Sequence, residues 1–183
     1  MGVKFWICVS ILAITLVVMC FNKKIRCSKL FKDLFNIFYD NRNNKISIFD
    51  LICFFICPIA IGATIVIGFD YYFSAEVSNT LLTIFSILFT LLFGIMSLLT
   101  ATLNSPNSIK KKISNEAFTA VAFAMFSSLV SLLIMIVYIV LLEKISSVIC
   151  FQILSGIIIC LASNMIMLFF MIIKRSYVTS ISE

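Results

Sequence analysis

From residue 51 onward the chain alternates long apolar runs with short polar breaks. The runs Leu51 to Phe69, Thr80 to Thr102, Ala117 to Leu142 and Ile145 to Ile173 hold 19, 23, 26 and 29 residues, and none contains a charged side chain. As helices they measure about 28, 35, 39 and 43 Å, against a hydrocarbon core of ~30 Å. Each is predicted to be a transmembrane helix, and the last must tilt or continue beyond the hydrocarbon. Strands of an outer-membrane barrel would alternate in roughly ten-residue segments, a pattern none of these runs has. An earlier run, Phe5 to Phe21, has 17 residues. It reads as an N-terminal membrane anchor, because Val18-Met19-Cys20-Phe21 has no small-x-small cleavage pattern and Lys4 alone precedes it. Trp6 stands where a myristoylation motif needs Ser or Thr.

The stretch from Asn22 to Asp50 follows a different rule. Leu30, Phe31, Leu34, Phe35, Ile37 and Phe38 recur at helical spacing opposite Lys29, Lys32, Asp33 and Asn36, which predicts a basic amphipathic helix lying in the membrane interface. It should end before Asn41-Arg42-Asn43-Asn44, a cluster of turn residues. The expected fold class is all-α, a polytopic membrane helical bundle with four or five transmembrane helices and one interfacial helix. Its expected organisation is an anchor over 1–21, a cytoplasmic basic segment over 22–50, and a four-span domain over 51–183 with a short cytoplasmic tail.

Composition agrees with a lipid solvent: 62% of residues are hydrophobic, 12% are charged, and 19 Phe outnumber the 8 acidic residues. The net charge of +6 carries information through its placement. If Asn22 to Asp50, Asn104 to Glu116 and the tail beyond Ile173 share one side, that side holds twelve of the 14 Lys and Arg, leaving Lys4 and Lys144 opposite. The positive-inside rule then puts these segments and the C-terminus in the cytoplasm, in a bacterial inner membrane. The segment Asp70 to Asn79 has Asp70 and Glu76, no base, and Tyr71 and Tyr72 beside Phe69 and Phe73, the composition of an outer interfacial loop.

Candidate chemistry is sparse. The chain has no His, which excludes Ser-His and Cys-His catalysis, and the spans carry no ionisable group of the kind proton relays use. No catalytic residue, cofactor or metal is expected. The seven Cys read as small apolar fillers, and Cys53 with Cys57 lacks further ligands. Asn164 and Gln152 are the deepest amides, expected to bond a neighbouring helix or, alternatively, to line a pore or ligand site. Small residues recur at i, i+4, i+8 as Ser86, Thr90, Gly94, as Ala120, Ala124, Ser128 and as Gly156, Cys160, Asn164. Such faces let helices pack tightly within one chain or between copies. Pro58, with Gly62 one turn on, predicts a kink that is either a static bend or a hinge. Lys23, Lys24, Arg26, Lys29, Lys32, Arg42, Lys45, Lys110, Lys111 and Lys112 are candidate contacts for anionic lipid or for a cytosolic partner. Direct nucleic-acid binding is not expected, because no recognition motif accompanies these bases.

The stretches Ile48-Phe49-Asp50-Leu51-Ile52-Cys53-Phe54-Phe55-Ile56-Cys57-Pro58 and Ser86-Ile87-Leu88-Phe89-Thr90-Leu91-Leu92-Phe93-Gly94, with the chain's length and order of spans, resemble the KwaA-type membrane component of Kiwa anti-phage systems. That resemblance implies a membrane-embedded homo-oligomer that senses infection and works with a cytosolic, KwaB-like DNA-binding effector. The expected function is a non-enzymatic membrane scaffold or sensor in antiviral defence. A bacteriocin-type immunity protein and a small pore-former, in which Ser127, Ser128 and Ser131 line water, are the alternatives. Orientation has a direct test in a cysteine-free background: an impermeant maleimide should label Glu76→Cys in intact cells and Ser180→Cys only after permeabilisation. Labelling of Lys111→Cys from outside intact cells would reverse the orientation.

Overall fold

A computed structural model describes residues 27–37, 39–40, 45–46, 52–102, 108–142 and 148–181. The chain divides into two compact units, Met1–Ile37 and Phe38–Glu183. In the first, helix α1 spans Cys27–Ile37. Its helical period buries Leu34 to 1% exposure and leaves Lys29 and Lys32 exposed, yet Phe31 and Phe35 each stay 38% exposed. The apolar face is thus only partly covered, as on an amphipathic helix. The anchor predicted over 1–21 lies outside the described residues.

The second unit opens with a short feature that the apolar pattern did not predict. Strands β1 (Tyr39–Asp40) and β2 (Lys45–Ile46) pair antiparallel, Tyr39 opposite Ile46 and Asp40 opposite Lys45. The Asn-rich tetrapeptide between them in sequence lies outside the described residues, and α1 ends before it, at Ile37, as predicted. Two residues per strand leave the all-α class intact.

The rest is helical. A π-helical turn, Ile52–Ile56, runs into α2 (Cys57–Phe69). Then come α3 (Ala75–Thr102), α4 (Ser108–Leu142) and α5 (Val148–Ile181). Four stretches, Ile52–Phe69, Ala75–Thr100, Ile113–Leu142 and Val148–Lys174, are long and apolar enough to cross a membrane, so the chain is a multi-pass membrane protein. The helices overrun the apolar runs at their polar ends. Glu76 falls in the first turn of α3, and Lys110, Lys111 and Lys112 belong to α4, not to a loop. The expected tail beyond Ile173 continues as helix to Ile181.

Local chemistry sets the break between α2 and α3. Asp70 adopts the left-handed conformation (φ 48°, ψ 34°) that ends α2, a region Asp tolerates better than most residues. Ser74 Oγ accepts from the Val77 N–H at 3.4 Å, and Ser74 O accepts from the Ser78 N–H at 2.9 Å. Ser74 is thereby an N-cap, and Glu76 complements the positive helix end behind it.

Helix α3 packs on α4, α4 on α5, and α5 on α2, while α2 and α3 make no extended contact although they are consecutive. Four helices at 8–10 Å spacing in a flat row would set the end helices about 27 Å apart. Residues 70–74 reach only about 20 Å between them. The row must therefore curve at the Asp70 end, with α2 and α3 at its edges. Burial follows this order: 33% of the α4 span is buried, 22% of α5, and 11% of each edge helix. The core forms where α4 supplies Ala120, Val121, Ala124 and Met135, α5 supplies Ile158, Met165 and Leu168, and α3 supplies Phe85 and Leu92.

The segment joining α2 to α3 is held over α4 and α5 by a closed ring of hydrogen bonds. The Phe73 N–H donates to Ser155 Oγ (3.3 Å), Ser155 Oγ donates to Tyr138 Oη (3.4 Å), and Tyr138 Oη donates to Phe73 O (2.8 Å). Edge-on ring contacts of Tyr138 with Phe73 (6.1 Å) and Phe151 (5.4 Å) surround it. Phe73, expected among the interfacial aromatics, is only 6% exposed, whereas Tyr71 and Tyr72 remain at the surface. Removing one hydroxyl strands a buried carbonyl. Tyr138→Phe should therefore lower unfolding free energy by about 1 to 2 kcal/mol in a mixed-micelle titration, and Tyr71→Phe should leave it unchanged.

Candidate functional site

The three small-residue stripes have three different fates. Ala120, Ala124 and Ser128 are buried on α4, and the Ser128 hydroxyl donates to Phe85 O of α3 at 3.0 Å. This stripe is spent inside the chain. The stripe of Gly156, Cys160 and Asn164 faces α2: a Cβ on Gly62 would lie 2.8 Å from Gly156 O and 3.5 Å from Cys160 Cβ, and one on Gly156 would meet Val66 at 3.3 Å. At Gly62 glycine is required by the close approach of the Gly156 backbone.

Ser86, Thr90 and Gly94 are exposed on α3, and a Cβ on Gly94 would meet nothing within 4 Å. Their hydroxyls are not idle. Ser86 donates to Leu82 O (2.9 Å) and Thr90 to Ser86 O (3.0 Å). Such back-bonding within one helix lets a hydroxyl face hydrocarbon without a second chain. The stripe is open for contact but carries no unpaid polar group.

Asn164 is the most informative polar residue. In an α-helix the carbonyl of Phe54 would accept from the N–H of residue 58, and Pro58 has none to give. The Asn164 amide of α5 donates to that same Phe54 O across the interface. The π-helical turn at Ile52–Ile56 widens the helix just before Pro58, where the ladder is interrupted. Asn164 therefore bonds a neighbouring helix, as one of its two expected readings had it. Its Oδ1 is buried and has no hydrogen-bond partner among the described residues. Pro58 and Gly62 are both buried on α2, the helix that packs on α5. Gln152, the second amide, lies near the start of α5, its Nε2 3.5 Å from Asp70 Oδ1.

The serines considered as pore-lining are enclosed. Ser127, Ser128 and Ser131 are each at most 3% exposed, and Ser131 donates to Ser127 O at 2.9 Å. Cys53, Cys57, Cys150 and Cys160 are half-buried free thiols, and no cluster of three metal-ligating side chains occurs among the described residues.

The basic candidates are spread along the chain. Lys29 and Lys32 stand exposed on α1, Lys111 stands exposed in the first turn of α4 with Lys110 and Lys112 beside it in sequence, and Lys45 lies on β2. Lys23, Lys24, Arg26 and Arg42 lie outside the described residues. Three lysines at a helix N-terminus oppose its dipole.

Sequence reading paired Pro58 with Gly62 and Gly156 with Asn164 but did not join the two pairs. The signal was available: a proline orphans the acceptor four residues before it, and a lone mid-span amide is the residue able to serve it. Tyr138 and Ser155 carried a similar cue, as hydroxyls inside an apolar run. No family model, curated protein or solved structure matches the chain.

A double-mutant cycle tests the pairing. Asn164→Leu should destabilise by about 1 kcal/mol, and Pro58→Ala, which returns an N–H to Phe54 O, should remove most of that cost. Equal cost in both backgrounds would mean the two sites are independent. In the same assay Gly62→Ala should cost about 1 to 3 kcal/mol by overpacking, while Gly94→Ala should cost nothing.

Proposed function

We propose that this chain is a non-enzymatic membrane scaffold or sensor of the bacterial inner membrane, assembling into a homo-oligomer and recruiting a cytosolic effector on its basic side. The observation that carries this reading is the division of its surface. The central helices are consumed by one another, while the edge helices α2 and α3 keep most of their area free, including the glycine-containing stripe Ser86, Thr90, Gly94. Edges of this kind suit lateral assembly, because close backbone approach replaces the hydrophobic drive that lipid removes.

The orientation supports recruitment. With the C-terminus cytoplasmic, the positive-inside count assigns the basic segments 22–50 and 104–116 to the cytoplasmic side. Anionic headgroups suit those bases, each contributing about 1 kcal/mol, and Phe31 and Phe35, each 38% exposed on α1, add apolar surface for a protein partner. The role in anti-phage defence, with a DNA-binding effector of the KwaB type, rests on the resemblance of the Ile48–Pro58 and Ser86–Gly94 stretches. The absence of His, and of any charge within the four apolar runs, supports a role without catalysis.

Assembly and recruitment are read in one experiment. Cross-linking in native membranes should give oligomers that Gly94→Ile reduces at least several-fold, since a bulky β-branched side chain blocks the close approach. Affinity purification in mild detergent from the native operon should recover a cytosolic companion, lost when Lys29 and Lys32 are both changed to Glu. Monomer alone, with no companion, overturns the proposal. Ion flux through liposomes carrying the purified chain would favour the pore-former, and protection against a neighbouring gene's toxin would favour the immunity protein.

A further inference from the structure

Beside the tight crossing of Gly62 and Gly156 the facing surfaces of α2 and α5 diverge. They enclose a laterally open groove of about 410 Å³, walled by Ile59, Ala63 and Ile67 on one side and Ile153, Ile157 and Leu161 on the other. Its walls are almost wholly apolar, and four of these isoleucines are exposed. From Gln152 to Leu161 the groove runs for about 13 Å along α5, nearly the ~15 Å depth of one leaflet. The occupant of an apolar groove opening sideways from a membrane helix pair comes from the bilayer itself.

The groove has one polar end. At the Asp70 end of the bundle, Gln152 Nε2 lies 3.5 Å from Asp70 Oδ1, and Asp70 is exposed. The described residues at this end hold a second acid, Glu76, and no base. An exposed carboxylate at the mouth of a leaflet-deep groove complements a primary ammonium, which can both neutralise it and donate hydrogen bonds to it. A quaternary ammonium can do only the first.

We propose that this groove binds one acyl chain of an aminophospholipid from the leaflet at the Asp70 end, with the ammonium on Asp70 and the Gln152 amide donating to a phosphate or ester oxygen. The site stands on the membrane-spanning character of α2 and α5 and is independent of the scaffold role. Asp70, left-handed at the end of α2, is where headgroup recognition meets the fold: Asn keeps that backbone conformation while removing the charge.

The test uses the full chain in phosphatidylcholine vesicles, with Ile67→Trp on the groove rim as reporter in a Trp6→Phe background. Brominated phosphatidylethanolamine should quench the reporter with a relative binding constant about five-fold that of brominated phosphatidylcholine, the ratio one near-surface charge contact supplies. Asp70→Asn should bring that ratio to about one, with quenching by phosphatidylcholine unchanged. Ala63→Phe, which fills the groove, should abolish the preference as well. Equal quenching by the two lipids in the parent reporter, or a preference that survives Asp70→Asn, overturns the proposal. The Asp70→Asn comparison decides the matter by itself if Ala63→Phe does not fold.

Discussion

In hydrocarbon there is no water to accept or donate, so every backbone group of a spanning segment must be served from within the protein. Most of this chain meets that demand by running unbroken helices, and its hydroxyls are folded into the same solution. Thr64, Thr80, Thr83, Ser86, Thr90 and Thr119 each donate to the carbonyl one turn back. The demand becomes acute at Pro58, where one donor is missing. The amide of Asn164 supplies it from another helix, so a local defect in α2 becomes a specific contact with α5. The same economy operates at Phe73, whose N–H and carbonyl leave regular structure at the turn and are taken up by Ser155 and Tyr138.

These two contacts explain why consecutive helices α2 and α3 are not packing partners. One end of the α2 span is tied to α5 by Asn164 and by the Gly62–Gly156 approach. The link between α2 and α3 is pinned over α4 and α5 by the Tyr138 ring. Helix α3 is held instead by α4, through Ser128 and the buried alanines. The result is a curved row with two exposed edges. One edge carries the small-residue stripe proposed for assembly, and the other lines the groove proposed for lipid.

Much of the architecture was legible in the sequence because hydrocarbon leaves few options for a long uncharged run. The four spans fall where the apolar pattern put them. Their C-terminal ends at Phe69, Thr102 and Leu142 coincide as well, whereas α3 and α4 begin earlier, because polar helix turns such as those of Glu76 and Lys110 to Lys112 satisfy their backbones as well outside the membrane as loops would. Stripe periodicity identified faces but not partners: Ala120-Ala124-Ser128 and Ser86-Thr90-Gly94 look alike on paper, yet one is buried and the other exposed. Which face meets which helix depends on order in the row, and that order is set by contacts between residues as far apart as Phe54 and Asn164. The strand pair that follows α1 in sequence escaped notice because two-residue strands leave no alternating pattern to read.

The functional reading stands on the same base, since edges, groove and basic side have meaning only if lipid covers the apolar surface. Nitroxide labels at Phe93, Ile136 and Ile166, three exposed positions on three different spans, measure that directly in vesicles of a cysteine-free chain. The account predicts frequent collisions with dissolved oxygen and few with a water-soluble nickel complex at all three. The reverse ranking would place these faces in water and contradict it.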